Sequence, residues 1–255
     1  MRYVNISKLI TYFLVIFFLI MISFSLKGMN FSIFSEIFKD KLFLSALNFG
    51  FLTATVATFF SSIFGIPAGL FLARSKGRIV KVLDSFFDIP IMIPPLVMGV
   101  FLLNFLNKSY LQNFFEFIFT YKGAILAQFL ISFPFTLKMA KSSFELVPPT
   151  YERIAMTLGA GYFRSFYDTT FKIALNGILS GILLSWLRSF GEFGATLLVA
   201  GGISGKTANL PIYIYLNIMQ GDYEKGVGAS IITILIIMLI ITIIKGTKFK
   251  KEHLE

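Results

Sequence analysis

Six runs of apolar residues, near 9–26, 44–73, 86–106, 123–140, 173–200 and 227–244, constrain this chain more than any motif does. Each reaches or approaches the roughly 20 residues that a helix needs to cross a bilayer. The runs are continuous rather than alternating, and backbone groups in lipid must be satisfied within the segment, so helices are expected and a barrel is not. Only 14% of residues are charged, 56% are apolar, and mean hydropathy is +0.80. The expected fold class is therefore all-α, a polytopic membrane protein with about six transmembrane helices.

Lysine and arginine set the expected orientation. With the N-terminus inside, the inner segments hold fifteen of the 23, including Arg74, Lys76, Arg78 and Lys81, the outer loops hold seven, and Arg188 lies within a span. That bias puts both termini and the 141–172 connection in the cytoplasm. The net charge of +10 is then mainly a topology signal with anionic-lipid contact as a secondary consequence, and it requires no nucleic acid. Arg2 and Lys8 precede a first run too long for a signal peptide and without a small-x-small site, so residues 1–41 read as an uncleaved anchor helix and outer loop. Residues 42–245 form a core of five spans, and 246–255 a basic cytoplasmic tail. With no cysteine, and with the single histidine, His253, in that tail, no metal site is expected.

Proline and glycine add a second layer. Between Asp88 and Pro95 three prolines remove backbone donors, which predicts a kinked or broken third span, either a gating helix lining a pathway or a packing kink. Gly65 and Pro67 carry a weaker form of the same signal in the second span. In the fifth span Gly177, Gly181 and Ser185 recur every four residues, a packing stripe that lets another helix approach closely, as at a subunit interface. Arg188 and Glu192 follow, four apart and on one helical face. Ionisable groups at membrane depth are costly, so the pair either lines an anion pathway or neutralises itself as a structural pair.

The 141–172 connection is long and mostly polar. Its centre predicts a short helix with Thr150 as N-cap, Glu152 in the first turn and Gly159 as stop. Ile154, Ala155 and Leu158 then share a face suited to a cleft on a soluble partner, or to the headgroup layer. Ala200 to Thr207 satisfies a loose P-loop pattern, yet it follows a membrane helix, precedes Pro211 and faces outside, so ATP binding there is rejected. An outer loop touching a soluble delivery protein fits better.

The chain resembles the membrane-spanning permease subunit of ATP-binding-cassette importers, and within that group the molybdate permeases, from about Ser45 to Ile231. The resemblance rests on Leu83-Asp84-Ser85 with Ile93 to Gly99, on Ser132-Phe133-Pro134, on Thr157 to Gly161, and above all on Arg188 to Thr196. Gly205-Lys206-Thr207 and Leu210 to Tyr215 also fit. The family's cytoplasmic coupling helix carries a Glu-Ala-Ala-x3-Gly signature, then Ile-x-Leu-Pro. Here Ala155 and Gly159 match, Arg153 and Ile154 replace the Glu and first Ala, and Glu152 comes one position early. Thr169, Phe171 and Lys172 replace Ile, Leu and Pro.

The resemblance implies a type I importer permease fold, with Glu152, Arg153, Ile154, Ala155, Leu158, Gly159 and Ala160 in the coupling loop. It implies two permease copies, two cytoplasmic ATP-binding subunits that hold ATP and Mg, and an extracytoplasmic oxyanion-binding protein, in a bacterial or archaeal cell membrane. This chain would bind no cofactor and hydrolyse nothing. Asp88, Pro94, Pro95, Arg188, Glu192, Phe193 and Thr196 are the pathway or gate candidates. Molybdate or tungstate is the expected cargo and sulfate or thiosulfate the nearest alternative. An ion-coupled secondary transporter is a different class, as is a membrane enzyme, for which no nucleophile, base or metal set stands at useful spacing.

Overall fold

A computed structural model describes residues 2–27, 29–108 and 116–252, all of it helix and connection with no strand among them. His253 lies outside the described residues. The helices are α1 (Arg2–Leu26), α2 (Ser32–Lys39), α3 (Lys41–Arg74), α4 (Arg78–Phe86), α5 (Ile89–Met92), α6 (Pro95–Leu106), α7 (Tyr121–Glu145), α8 (Thr150–Thr157), α9 (Tyr162–Ser165), a π-helical turn (Phe166–Phe171), α10 (Lys172–Phe190), α11 (Gly194–Ala200), α12 (Leu210–Met219) and α13 (Tyr223–Glu252). Among the described residues five helices are long and apolar enough to span a bilayer, and the bent pair Arg78–Met92 and Pro95–Leu106 makes a sixth when it is counted as one span. Contacts divide the chain into two units, one of residues 45–212 and one joining 1–44 to 213–255.

In the larger unit, α7 is the central helix. Its buried side carries Gln128, Ser132 and Thr136, four apart on one face, together with Ala124, Ile131 and Ala140. α3 packs closely on it: a Cβ on Gly69 would stand 2.7 Å from the Leu137 carbonyl oxygen, and one on Gly65 3.2 Å from the Leu137 nitrogen. That close approach is what these glycines provide. α3 continues through Pro67 as one helix, so the span is not broken there. The Ser61 and Ser132 hydroxyls lie 3.2 Å apart, joining α3 to α7 inside an otherwise apolar seam.

α10 covers a second side of α7. The Gly177–Gly181–Ser185 stripe faces it: a Cβ on Gly177 would meet the Ser143 hydroxyl at 2.0 Å, one on Gly181 the Met139 Cβ at 2.6 Å, and Ser185 donates to the Ser132 carbonyl at 3.1 Å. The stripe is therefore filled from within the chain and is not left for a subunit interface.

The third span breaks as its prolines predict. Arg78–Met92 and Pro95–Leu106 meet at a bend of 106°. Pro90 sits in the first turn of α5, and Pro94 and Pro95 take the cap and first positions of α6, where a missing N–H costs no helical bond. The fifth apolar run, by contrast, is not one helix. α10 ends at Phe190, and Gly194–Ala200 form a separate short helix, so Glu192 lies in the turn beyond the helix rather than on its face.

In the smaller unit, α1 has no buried residue from Ile6 to Leu26, as suits a helix surrounded by lipid. α2 buries Ile33 and Ile37, and Ile37 closes against Gly228 of α13. Asp40, between α2 and α3, accepts from Tyr213 at 2.7 Å, pairs with Lys225 at 2.7 Å, and accepts the Leu42 N–H at 2.8 Å. Burial pushes its carboxyl upward, but the Lys225, Tyr213 and Leu42 hydrogen bonds outweigh burial and hold it below 3.8. Its contribution is thus present above pH 3.8 and fades as pH falls through the lowered value. Asp40→Asn is expected to cost about 1–3 kcal/mol in detergent unfolding at neutral pH, with a smaller difference from wild type in acid. Equal unfolding of the two proteins at neutral pH would remove Asp40 from this role.

Candidate functional site

The connection between α7 and α9 is shorter than the sequence suggests. α7 runs to Glu145 and helix resumes at Tyr162, leaving residues 146–161 with α8 at their centre. Pro149, not Thr150, occupies the N-cap, with no side-chain cap, and Thr150 is the first helical residue. The diproline causes this shift. Proline's fixed φ pre-sets a helical start, and the Pro148 and Pro149 carbonyls accept from Tyr151 and Arg153. Gly159 ends the helix at φ +92, donating to Met156 at 3.0 Å while Ala160 donates to Ala155 at 3.0 Å. That double closure is the Schellman arrangement, and its left-handed position favours glycine.

Glu152 turns back to the base of the loop instead of facing water at the helix start. It pairs with Arg74, at the end of α3, at 2.9 Å, and it accepts the Thr170 hydroxyl from the π-helical turn. Arg74 also donates to the Val147 carbonyl at 3.0 Å and to the Thr170 hydroxyl at 3.3 Å, while Ser165 donates to the Glu152 carbonyl at 2.6 Å. Five segments thus meet at one clamp. The opposite side of the loop is open: Ile154 is 52% exposed, Leu158 84% and Phe163 85%. Arg153 is exposed beside them, and Ala155 and Ala160 are half-buried. The result is a rigidly based helix with an uncovered apolar tip.

The pathway candidates separate into two groups. Asp88, near the break, pairs with Lys138 of α7 at 2.7 Å, and Lys138 also holds Asp84 at 2.8 Å, while Lys141 takes the other Asp84 oxygen at 2.7 Å. This network ties α4 and the start of α5 to α7. Beyond the break, α6 lies on α11: a Cβ on Gly99 would stand 2.8 Å from the Ala195 Cα, and one on Gly194 3.0 Å from the Leu96 nitrogen. Pro95, at the start of α6, is therefore brought near the second group, around Glu192.

Glu192 is fully buried. One oxygen takes Arg188 at 2.8 Å and the other the Ala195 N–H at 2.9 Å, inside the first turn of α11. Its own carbonyl accepts Asn209 at 2.6 Å, and Asn209 in turn accepts the Ile212 N–H at 3.2 Å. Arg188 keeps 29% of its side chain exposed. Thr196 is buried one turn along, and Phe193 caps α11. The geometry is that of a neutralised pair which fastens the α10–α11 turn. In the Ala200–Thr207 loop, the Thr207 hydroxyl donates to the Ala200 carbonyl at 2.6 Å and accepts the Ile203 N–H at 3.0 Å, so the loop folds on itself.

Sequence reasoning missed Arg74, Thr170, Lys138 and Asn209. Each meets its partner across a large sequence separation, and no spacing rule signals such a pair. For Arg74 one cue was present, a cation at the end of an apolar run.

The family described as "Binding-protein-dependent transport system inner membrane component" matches residues 65–247. The molybdate/tungstate transport system permease protein WtpB of Pyrococcus abyssi is 34% identical over 198 residues, covering 78% of this chain and 76% of that protein. The molybdenum transport system permease protein ModB of Escherichia coli K12 is 34% identical over 194 residues, covering 73% and 85%. Among solved structures, a bacterial ABC transporter involved in alginate import superposes with TM-score 0.73 at 17% identity, covering 97% of this chain and 94% of that one. The inward-facing methionine transporter MetNI gives TM-score 0.63 at 16% identity, covering 83% and 95%. These likenesses establish the type I ABC importer permease fold. Because that family model matches residues 65–247, most of its length, the chain belongs to the binding-protein-dependent transport system inner membrane components.

Proposed function

We propose that this chain is the permease subunit of an ATP-driven importer for a tetrahedral oxyanion, molybdate or tungstate, acting as one of two copies. Two separate cytoplasmic subunits would bind ATP and Mg, and an extracytoplasmic binding protein would deliver the anion. The termini and α8 face the cytoplasm, as the basic residues favour. The observation that carries the reading is α8 itself: an apolar tip with no cover, on a base tied to α3 and to the α9–α10 helix through Arg74 and Glu152. Such a helix fits a cleft on a soluble subunit and passes displacement to two spans at once. ATP can shift the permease only if α8 makes different contacts in the two states, and a rigid base makes that difference count. The choice of cargo is supported by the two relatives at 34% identity, one a molybdate/tungstate and one a molybdenum transport permease.

The test is uptake of labelled molybdate, tungstate and sulfate into vesicles holding this chain, its ATPase and its delivery protein, with each component omitted in turn. Uptake that requires all three and is competed best by molybdate or tungstate is expected. Uptake by the chain alone on an ion gradient would overturn the importer reading. In the same assay Gly159→Pro should abolish uptake, because proline cannot reach φ +92 and has no N–H for Met156. Unimpaired uptake at normal expression would remove α8 from the coupling role.

A further inference from the structure

A pocket of about 560 Å³ opens between the end of α3, α4 and α7, lined by Lys76, Arg78, Lys81, Lys141, Asp84 and Glu145. Its two carboxylates are already engaged. Asp84 is held by Lys138 and Lys141, and Glu145 lies 3.6 Å from Lys141. Lys138 and Lys141 are thereby occupied, each by one Asp84 carboxylate oxygen. Lys76, Arg78 and Lys81 have no ion pair or side-chain hydrogen bond among the described residues, and all three are exposed. The first turn of α4, at the same mouth, has no side-chain cap, which adds unpaired amides to the positive field. The site therefore presents three uncommitted cations around a cavity large enough for a phosphate group.

α4 also says where the ligand comes from. Its other face carries Ile79, Val82 and Phe86, 77%, 63% and 61% exposed, on a nine-residue helix that follows directly on a membrane span. An amphipathic helix of this kind lies in the interface plane with its apolar face among acyl chains. The basic pocket is then at headgroup depth.

We propose that this pocket binds the phosphate headgroup of an anionic phospholipid, held by Lys76, Arg78 and Lys81 while its acyl chains pack on the apolar face of α4. Since Asp84 joins α4 to Lys138 and Lys141, a bound lipid would brace the half-span leading into the proline break. This assignment does not depend on the cargo or on the ATPase.

The full chain, purified in mild detergent, is titrated with phosphatidylglycerol and with phosphatidylcholine, and bound lipid is counted by native mass spectrometry. Phosphatidylglycerol should bind at least tenfold more tightly. The K76Q/R78Q/K81Q variant should lose about 10- to 100-fold of that affinity, in line with three cations removed near a lipid phosphate. The K39Q/K41Q/K206Q variant removes the same charge from exposed sites elsewhere and should retain it. Equal binding of the two lipids by wild type would overturn the proposal whatever the variants do, as would equal losses in the two variants. Displacement of phosphatidylglycerol by millimolar inorganic phosphate would show a free-anion site instead and overturn the lipid assignment.

Discussion

Glu192→Ala is expected to cost the fold about 3–5 kcal/mol, the loss found when one partner of a buried ion pair is removed. Glu192 is 1% exposed, and three groups depend on it directly: Arg188 at 2.8 Å, the Ala195 N–H at 2.9 Å and, through its carbonyl, Asn209. The backbone bond survives the substitution, whereas the other two do not. A domain is stable by only about 5–15 kcal/mol, so a change of this size should lower the unfolding midpoint sharply and reduce the amount of protein recovered from membranes. Arg188→Met in the same background relieves the unpaired cation and should recover part of the loss. The double-mutant cycle then gives the coupling between the two residues. An unfolding midpoint unchanged by Glu192→Ala would mean that the pair contributes nothing to the α10–α11 turn, and the pathway role would regain its force.

The second large effect lies at the base of α8. Arg74→Ala removes the cation from Glu152, the donor from the Val147 carbonyl and a neighbour of Thr170 in one step. The pair is only partly buried, at 25% and 18% exposure, so the expected cost is about 2–3 kcal/mol, below that of a fully buried pair. Its consequence for transport should be out of proportion to that cost. With the base loosened, α8 can follow its docking partner without moving α3 or the α9–α10 helix. Uptake should fall tenfold or more while ATP hydrolysis by the assembled complex continues, and amide exchange should rise across residues 150–165. Glu152→Gln, which can still accept the Thr170 hydroxyl, should fall between wild type and Arg74→Ala. Uptake and hydrolysis that fall together in equal measure would point to lost assembly instead of lost coupling.

Several elements are legible in the sequence alone. The proline cluster at 90–95 announced a broken span, because each proline removes a donor and fixes φ wherever it stands. Gly159 announced the end of α8 for an equally local reason. Thr150 has the side chain of a cap, but the fixed φ of the preceding prolines starts the helix one residue earlier. The fifth apolar run was misread as one helix because hydropathy cannot distinguish a continuous span from a helix, a turn and a short second helix that are all apolar. Glu192 was accordingly placed on a helical face, whereas it reaches Arg188 from a turn. The small-residue stripe signals a packing surface without identifying its partner. Any neighbouring helix satisfies that pattern, and Ser143, Met139 and Ser132 of α7 fill it here.

By itself, then, the sequence determined the membrane class, the approximate limits of most of the spans, the break in the third, and the presence of a short helix between the fourth and fifth. These depend on apolar length, backbone donors and φ, which are properties of neighbouring residues. Tertiary structure alone decided that Glu152 belongs to Arg74, 78 positions away, that Lys138 bridges Asp84 and Asp88, and that α6 rests on α11. A carboxylate in a membrane protein must find a donor somewhere, but which cation it meets is settled only when the helices have packed and the remaining choices have been excluded by volume.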